Sequence, residues 1–355
     1  MKHLNLFVLL IALTTTLAVS AGPLEGFRYE DATKFRIINK GWDNTSEPFT
    51  RLPQAYMDSC RKDQQWLYNH SSGIAVRFAS DSKRIAAQWN LKNNFHMQHM
   101  AMTGIKGTDL YTLNQETGKW EYVNTARPQE KNFKADSIQS KLYVENLDGE
   151  MHEYMIYLPL YDGINWLQIG VDSTAELTMP RVENPRKMGK IVMYGTSILQ
   201  GGCANRPGMA HTNILARRLD REVINLGFSG NALLDMEIAE LMASVEDPGL
   251  FVLDYAPNAY ADMIDANGEA FFRVIRDAHP DVPVIFIEDV IFPHTLFDNA
   301  ILKEVTDKNL AQRHLYERLK KAGEKNIYYI GAEGMIGDDG EATVDSIHFT
   351  DLGAM

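Results

Sequence analysis

The hydrophobic rhythm of this 355-residue chain changes once, near its middle, and that change limits the folds open to it. From about Gly26 to Leu177 the apolar residues come in short runs: "GIAVRFAS", "RIAAQWNL", "HMAMTGI", "DLYTL", "KWEYV", "KLYVENL", "HEYMIYLPL" and "NWLQIGV". Turn clusters such as "SDSK", "NQETGK" and "NLDGE" separate them. Aromatic and branched runs bounded by turn residues suit pleated strands, and many in succession predict an all-β, jelly-roll-like sandwich. After "TMPRVENPRK" the pattern alternates. The apolar runs "KIVMYG", "EVINLG", "LFVLDY", "PVIFIED" and "NIYYIG" now have helical stretches between them, among them "HTNILARRLD", "MEIAELMAS", "GEAFFRVIRDA" and "NAILKEVTDKNLAQRHLYERLKKAGE". Near-continuous apolar strands linked by helices predict a parallel sheet covered on both faces. The expected division is a β-sandwich over 22–184 and an α/β domain over 185–355, with the boundary near Asn184 between Pro180 and Pro185.

The first residues follow a different logic. "MKHLNLFVLLIALTTTLAVSAGPLEG" has a basic start, an apolar stretch from Leu4 to Val19 and small residues at Ala18, Ser20 and Ala21. That layout predicts a secretory signal peptide over 1–21 and a mature protein that is periplasmic or secreted. Thr14, Thr15 and Thr16 interrupt the apolar stretch, which argues against a membrane anchor, and no other segment is apolar enough to span a bilayer. A formal charge of −12 without a basic stripe argues against a nucleic-acid partner. The two cysteines, Cys60 and Cys203, would join the two halves if they paired; two separate thiols are the alternative.

Chemistry in an open α/β sheet collects at the carboxyl ends of the strands. "KIVMYG" runs into Gly195-Thr196-Ser197, "EVINLG" into Gly227-Phe228-Ser229-Gly230, and "LFVLDY" into Ala256-Pro257-Asn258. Beyond "NIYYIG" comes "DSIHFTD", with Asp345 and His348. Acyl transfer needs this combination. A serine hydroxyl is a weak nucleophile until an imidazole takes its proton, and the imidazole needs a carboxylate to fix its tautomer. The oxyanion needs preorganised donors, each worth ~2.7–4 kcal/mol in enzymes where one has been removed. Taken alone, Ser197 would read as a helix N-cap.

These blocks resemble the SGNH (GDSL-type) hydrolases, esterases and lipases on a flavodoxin-like, three-layer α/β/α sheet. By that resemblance Ser197 is the nucleophile, His348 the base and Asp345 its orienter, while the N–H groups of Ser197 and Gly230 and the side chain of Asn258 form the oxyanion hole. Gly227 competes with Gly230, and the family register favours Gly230. Thr196 stands where the family often has Asp. In the first half, "GTDLY" (Gly107 to Tyr111) looks like the GxDLY domain that precedes some secreted bacterial members. Where the family carries a closing helix after the histidine, this sequence reads "DLGAM", so that helix is expected to be cut short.

Four further residues are candidates for substrate contact: Asn205 and Arg206 in "CANRPG", and the histidines His211 and His294. No metal-ligand spacing such as H-E-x-x-H occurs, so neither a metal nor an organic cofactor is expected. G-x-S-x-G is also absent, which argues against the α/β-hydrolase elbow. Trp66, Trp89, Trp120 and Trp166 fall in the sandwich half, where most should be core and an exposed one would suit a sugar ring. The expected function is a secreted serine esterase that removes acetyl groups from O-acetylated carbohydrate or another small ester. A lysophospholipase, lipase or thioesterase of the same fold is the first alternative. A non-catalytic carbohydrate-binding surface protein is the second, and the complete set of site residues counts against it.

Overall fold

The computed structural model describes residues 22–129, 132–183, 185 and 188–355. The expected signal peptide lies outside them.

Among the described residues, the first half holds ten strands: β1 (Phe27–Asp31), β2 (Arg36–Ile38), β3 (Ala75–Ser80), β4 (Ile85–Leu91), β5 (Thr108–Asn114), β6 (Lys119–Ala126), β7 (Ile138–Val144), β8 (His152–Tyr157), β9 (Ile164–Asp172) and β10 (Leu177–Thr178). They form two antiparallel sheets, β1-β9-β4-β7 and β10-β3-β8-β5-β6, with β2 added against β3. Alternate side chains of both sheets meet in one core, where Val76 and Phe78 of β3 join Ala87 and Trp89 of β4 and Leu167 and Ile169 of β9. Three short helices interrupt the strands: α1 (Gln54–Ser59), α2 (Lys62–Leu67) and α3 (Met102–Lys106). α3 corrects the strand expected over "HMAMTGI". A short apolar run reads equally as strand or helix, and here packing decides. Ile105 and Met100 turn onto Tyr161, Cys203 and Ala204, and a Cβ at Gly104 would lie 2.2 Å from the Ala204 carbonyl. Only glycine lets this helix approach the second half so closely.

The second half carries β11 (Lys190–Gly195), β12 (Val223–Gly227), β13 (Pro248–Asp254), β14 (Val284–Ile287) and β15 (Ile327–Ile330). All pair in parallel, in the order β12-β11-β13-β14-β15. Between and after them run α4 (Ser197–Gln200), α5 (His211–Leu219), α6 (Met236–Ala243), α7 (Ala261–Ala278), α8 (Asn299–Lys321) and the single turn α9 (Asp351–Ala354). Val192, Tyr194, Leu226, Phe251 and Phe286 pack on one face under α6, α7 and α8. Ile191, Met193 and Val252 point the other way, onto Leu199 of α4 and Ala216 of α5. The expectation of full cover on both faces fails at the sheet edge. α7 and α8 pack against each other on the first face, and Tyr328 and Ile330 of β15 stay exposed.

Polar groups lock the halves together. Arg51 is 3% exposed. Its guanidinium donates to the carbonyls of Leu67 and His70 in its own half and to those of Asn225 and Gly227 at the end of β12. It also lies over the Phe228 ring, 5.0 Å from the centroid. Desolvation lowers its pKa to about 9, which leaves it charged at neutral pH. Asp109 of "GTDLY" accepts from Arg206 Nη1 and from the Gly208 N–H, both at 2.8 Å, and Tyr111 Oη lies 2.7 Å from Arg206 Nη1. Within the first half, Lys106 and Asp162 pair with both side chains fully buried. Cys60 and Cys203 are separate thiols. Among the described residues, no helix is long and apolar enough to cross a membrane.

Candidate active site

At the end of β11 the chain turns directly into α4. Thr196 caps that helix, its Oγ1 accepting from the Ile198 N–H, so the cap role expected of Ser197 taken alone belongs to its neighbour. Ser197 is the first helical residue and is 8% exposed. Gly195 is needed for proximity rather than for a special turn, since a Cβ there would sit 2.8 Å from the Asp254 carbonyl and 3.0 Å from Leu199. Gly201, with φ of 113°, ends the helix in the left-handed region.

Asp345 and His348 approach from the loop after β15. His348 Nε2 lies 2.9 Å from Ser197 Oγ, and its Nδ1 lies 2.8 Å from Asp345 Oδ2. Asp345 Oδ1 also accepts the backbone N–H of His348 at 2.8 Å and of Ile347 at 3.1 Å, a local turn that holds both side chains in register. Partial burial disfavours the charge on Asp345, but the bonds from the His348 backbone, the His348 ring and the Ile347 N–H outweigh it. The carboxyl is held below the usual range and is ionised at neutral pH. Serine, imidazole and carboxylate thus form one hydrogen-bonded chain.

The two glycines after β12 separate by environment. A Cβ at Gly227 would fall 2.2 Å from Gln200 N, so this glycine allows close packing against α4. Gly230 takes φ of 68° with nothing within 4 Å of a Cβ, which leaves its backbone beside open space. Gln200 braces the same turn, accepting the Ser229 N–H at 3.1 Å and donating to the Leu160 carbonyl at 3.1 Å. Asn258 Oδ1 accepts the Ala232 N–H at 3.4 Å, which ties the loop after β13 to the turn after β12.

The first half supplies neighbours that no local motif marked. Tyr161 Oη donates to the Ser197 carbonyl at 3.1 Å. His99 Nε2 lies 4.0 Å from Asp345 Oδ2, and its ring centroid is 5.2 Å from that of His348. Cys203 is buried beside them, and desolvation with the nearby Asp345 pushes its thiol up to about 12. Trp66 is the most exposed tryptophan, at 38%, and meets His70 and Phe95 edge-on.

The structure gives the four expected contact residues other surroundings. Asn205 bonds Asp351 through its backbone N–H at 2.9 Å and its side chain at 3.0 Å. Arg206 is committed to Asp109 and Tyr111 and stacks 3.8 Å over the Tyr122 ring. His211 is held neutral by burial, which lowers its pKa to about 4, and its ring lies 6.4 Å from that of Phe349. His294 stacks on Phe292 at 5.9 Å beside an apolar cleft of about 510 Å³ that Phe292, Leu296, Phe297, Met335 and Ile336 help to line.

Comparisons with known proteins agree with this architecture. Residues 188–355 match the model of the GDSL-like lipase/acylhydrolase family, and residues 27–177 match the N-terminus of the SGNH-hydrolase-type esterases, the GxDLY domain. Among solved structures, a Bacteroides ovatus protein assigned as a GDSL-like lipase is 34% identical, with a TM-score of 0.86 over 92% of this chain and 94% of that one. A salicylyl-acyltransferase from a tetracycline biosynthetic pathway superposes with a TM-score of 0.73 at 17% identity, covering 94% of both chains. A family two carbohydrate esterase from Cellvibrio japonicus reaches 0.56 at 14% identity, over 92% of this chain and 93% of that one. Comparison with curated protein sequences returns no match. With its GxDLY-type first half and its sheet ending in a serine–histidine–aspartate chain, this protein belongs to the GDSL-like lipase/acylhydrolase family of esterases.

Proposed function

We propose that the protein is a secreted serine esterase acting through an acyl-enzyme, with an acetyl ester on a carbohydrate as substrate. The observation that carries this reading is the chain of short contacts from Ser197 Oγ to His348 Nε2 and from His348 Nδ1 to Asp345. Ser197 Oγ attacks the ester carbonyl as His348 takes its proton, and ionised Asp345 supports the imidazolium. The Ser197 and Gly230 N–H groups and the Asn258 amide hold the oxyanion. His348 returns the proton to the leaving alcohol, then activates water to free the acid.

For the acetylated-carbohydrate substrate, the support is the fold shared with carbohydrate esterases, an argument from analogy. Secretion rests on the layout of residues 1–21. The same proposal treats 22–184 as a jelly-roll-like accessory domain and 185–355 as a three-layer catalytic domain. A fluorophosphonate probe should label the wild-type protein and not Ser197→Ala, and acetate release from a panel of acetylated glycans should find the substrate. Undiminished labelling of Ser197→Ala would overturn the assignment.

One observation favours a second reading, hydrolysis of longer acyl esters. The apolar cleft at Phe292, Leu296 and Phe297 opens at the carboxyl ends of β14 and β15, and Leu296 and Phe297 are 78% and 89% exposed. Comparing acetyl, octanoyl and palmitoyl esters of one alcohol separates the two, because a long chain needs an extended apolar surface and acetyl does not.

A further inference from the structure

His99 and Cys203 have no part in the hydrolytic steps above, yet both border them. One ligand atom each from His99, Cys203 and His348 lies within 4.8 Å of the other two. The three come from separate stretches of chain: the loop before α3, the turn after α4 and the loop before α9. Backbone bonding fixes two of those stretches to each other, since the Cys203 N–H donates to the Phe349 carbonyl at 3.1 Å. Asp345 Oδ2, 4.0 Å from His99 Nε2, borders the cluster with an oxygen.

Two imidazoles, a thiol and an adjacent carboxylate are the donor set of a borderline-soft divalent cation, above all Zn²⁺. Tetrahedral Zn²⁺ with Zn–N of about 2.0 Å and Zn–S of about 2.3 Å needs donor atoms roughly 3.3–3.7 Å apart. The cluster would have to draw in by about an ångström. His99, with 36% of its side chain exposed, has the freedom to make that move.

We propose that His99, Cys203 and His348 form an inhibitory site for a borderline-soft divalent cation, which switches hydrolysis off by taking His348 out of the reaction. This rests on the reading of His348 as the base. Either ring nitrogen produces the effect. Coordination through Nε2 removes the acceptor for the Ser197 proton. Coordination through Nδ1 displaces Asp345 and leaves the ring proton on Nε2, the wrong tautomer for a base. No electron moves, and the Cys203 thiol releases its proton to solvent as Sγ coordinates. The site would make the esterase answer to free zinc, with the sensing histidine supplied by the first half of the chain.

The test titrates the intact protein with ZnCl₂ while following p-nitrophenyl acetate hydrolysis, and in parallel measures binding by calorimetry and by the thiolate-to-metal absorption of Cd²⁺. Expected are one bound equivalent, inhibition reversed by EDTA, and a thiolate band that vanishes in Cys203→Ala. His99→Ala and Cys203→Ala should each raise the inhibition constant at least about tenfold, each read against its own metal-free rate. Ser197→Ala, inert as an esterase, should still bind the metal, so the site is measurable even if the hydrolytic reading fails. Equal inhibition of wild type and both variants, absence of the thiolate band, or binding without inhibition would each overturn the proposal. Binding without inhibition would leave the hydrolytic assignment standing.

Discussion

Two clusters of ionisable groups in this protein each depend on an aspartate and treat water in opposite ways. At the seam between the halves, Asp109 is completely buried and Arg51 is nearly so. At the carboxyl ends of the sheet, the Asp345 side chain is 32% exposed and that of His348 is 19%. The seam is therefore a place where no charge can be left alone. Removing one partner strands the other in a medium that penalises it, whatever the net worth of the pair. The site depends instead on positioning. Its carboxylate is kept charged by three hydrogen bonds from its own loop, while its imidazole stays partly open to solvent. Deep burial of charge here marks the joint and partial exposure marks the candidate site.

Substitutions that separate stability from turnover probe this contrast. The largest effect is expected at the proposed nucleophile, where Ser197→Ala should lower kcat by ~10⁶ on p-nitrophenyl acetate with an unchanged melting temperature. A parental rate would remove the serine from the mechanism. Asp109→Ala should do the reverse. It leaves Arg206 without its carboxylate partner and the Gly208 N–H without its acceptor, so calorimetric unfolding should show a loss of about 3–5 kcal/mol, with kcat nearly retained at temperatures where the variant is folded. Thermal stability equal to the parent's would mean that the seam is not the structural joint described above. Asn258→Ala should reduce kcat by ~10²–10³ with little change in KM, the signature of a donor used only in the transition state. A change confined to KM would make it a binding residue.

A smaller and pH-dependent effect is expected at Asp254 and Asp289, at the ends of β13 and β14. Desolvation raises both carboxyls, Asp254 to about 8 with Asp289 beside it and Asp289 to about 7 against the pull of Lys308. A raised folded-state pKa means the native protein holds protons that the unfolded chain has already released. The contribution to stability is complete below the unfolded value near 4 and declines as pH rises toward 8. Asp254→Asn should flatten the fall of melting temperature across that window and raise it most at the alkaline end. A fall as steep as that of the parent would show that Asp254 is already ionised at neutral pH.

The parts of this molecule legible in the sequence are those whose cause is local. β11 to β14 announce themselves because strands covered on both faces are apolar almost throughout, and α8 because it is long. Ser197, Gly230 and Asn258 were readable because each stands within a few residues of a strand end, and His348 because it closely follows Asp345. What escaped depends on partners far along the chain. Nothing in "NNFHMQHMAM" marks His99, which borders Asp345 only because the loop before α3 packs against the turn at Cys203. Arg206 sits three residues after a buried cysteine and looked like a pocket cation; its partner is Asp109, 97 residues earlier. The "GTDLY" motif was visible as a family mark, and the reason for its aspartate appears only when both halves are folded.

Arg51 bears on how such a protein could be taken apart. Many accessory modules are tethered beads that can be exchanged or removed. Here a side chain of the first half holds the very carbonyls, at Asn225 and Gly227, that begin the turn toward Gly230. Expressed alone, residues 188–355 would lose the keystone of their second strand, so the two halves should melt as one cooperative unit and be inherited together.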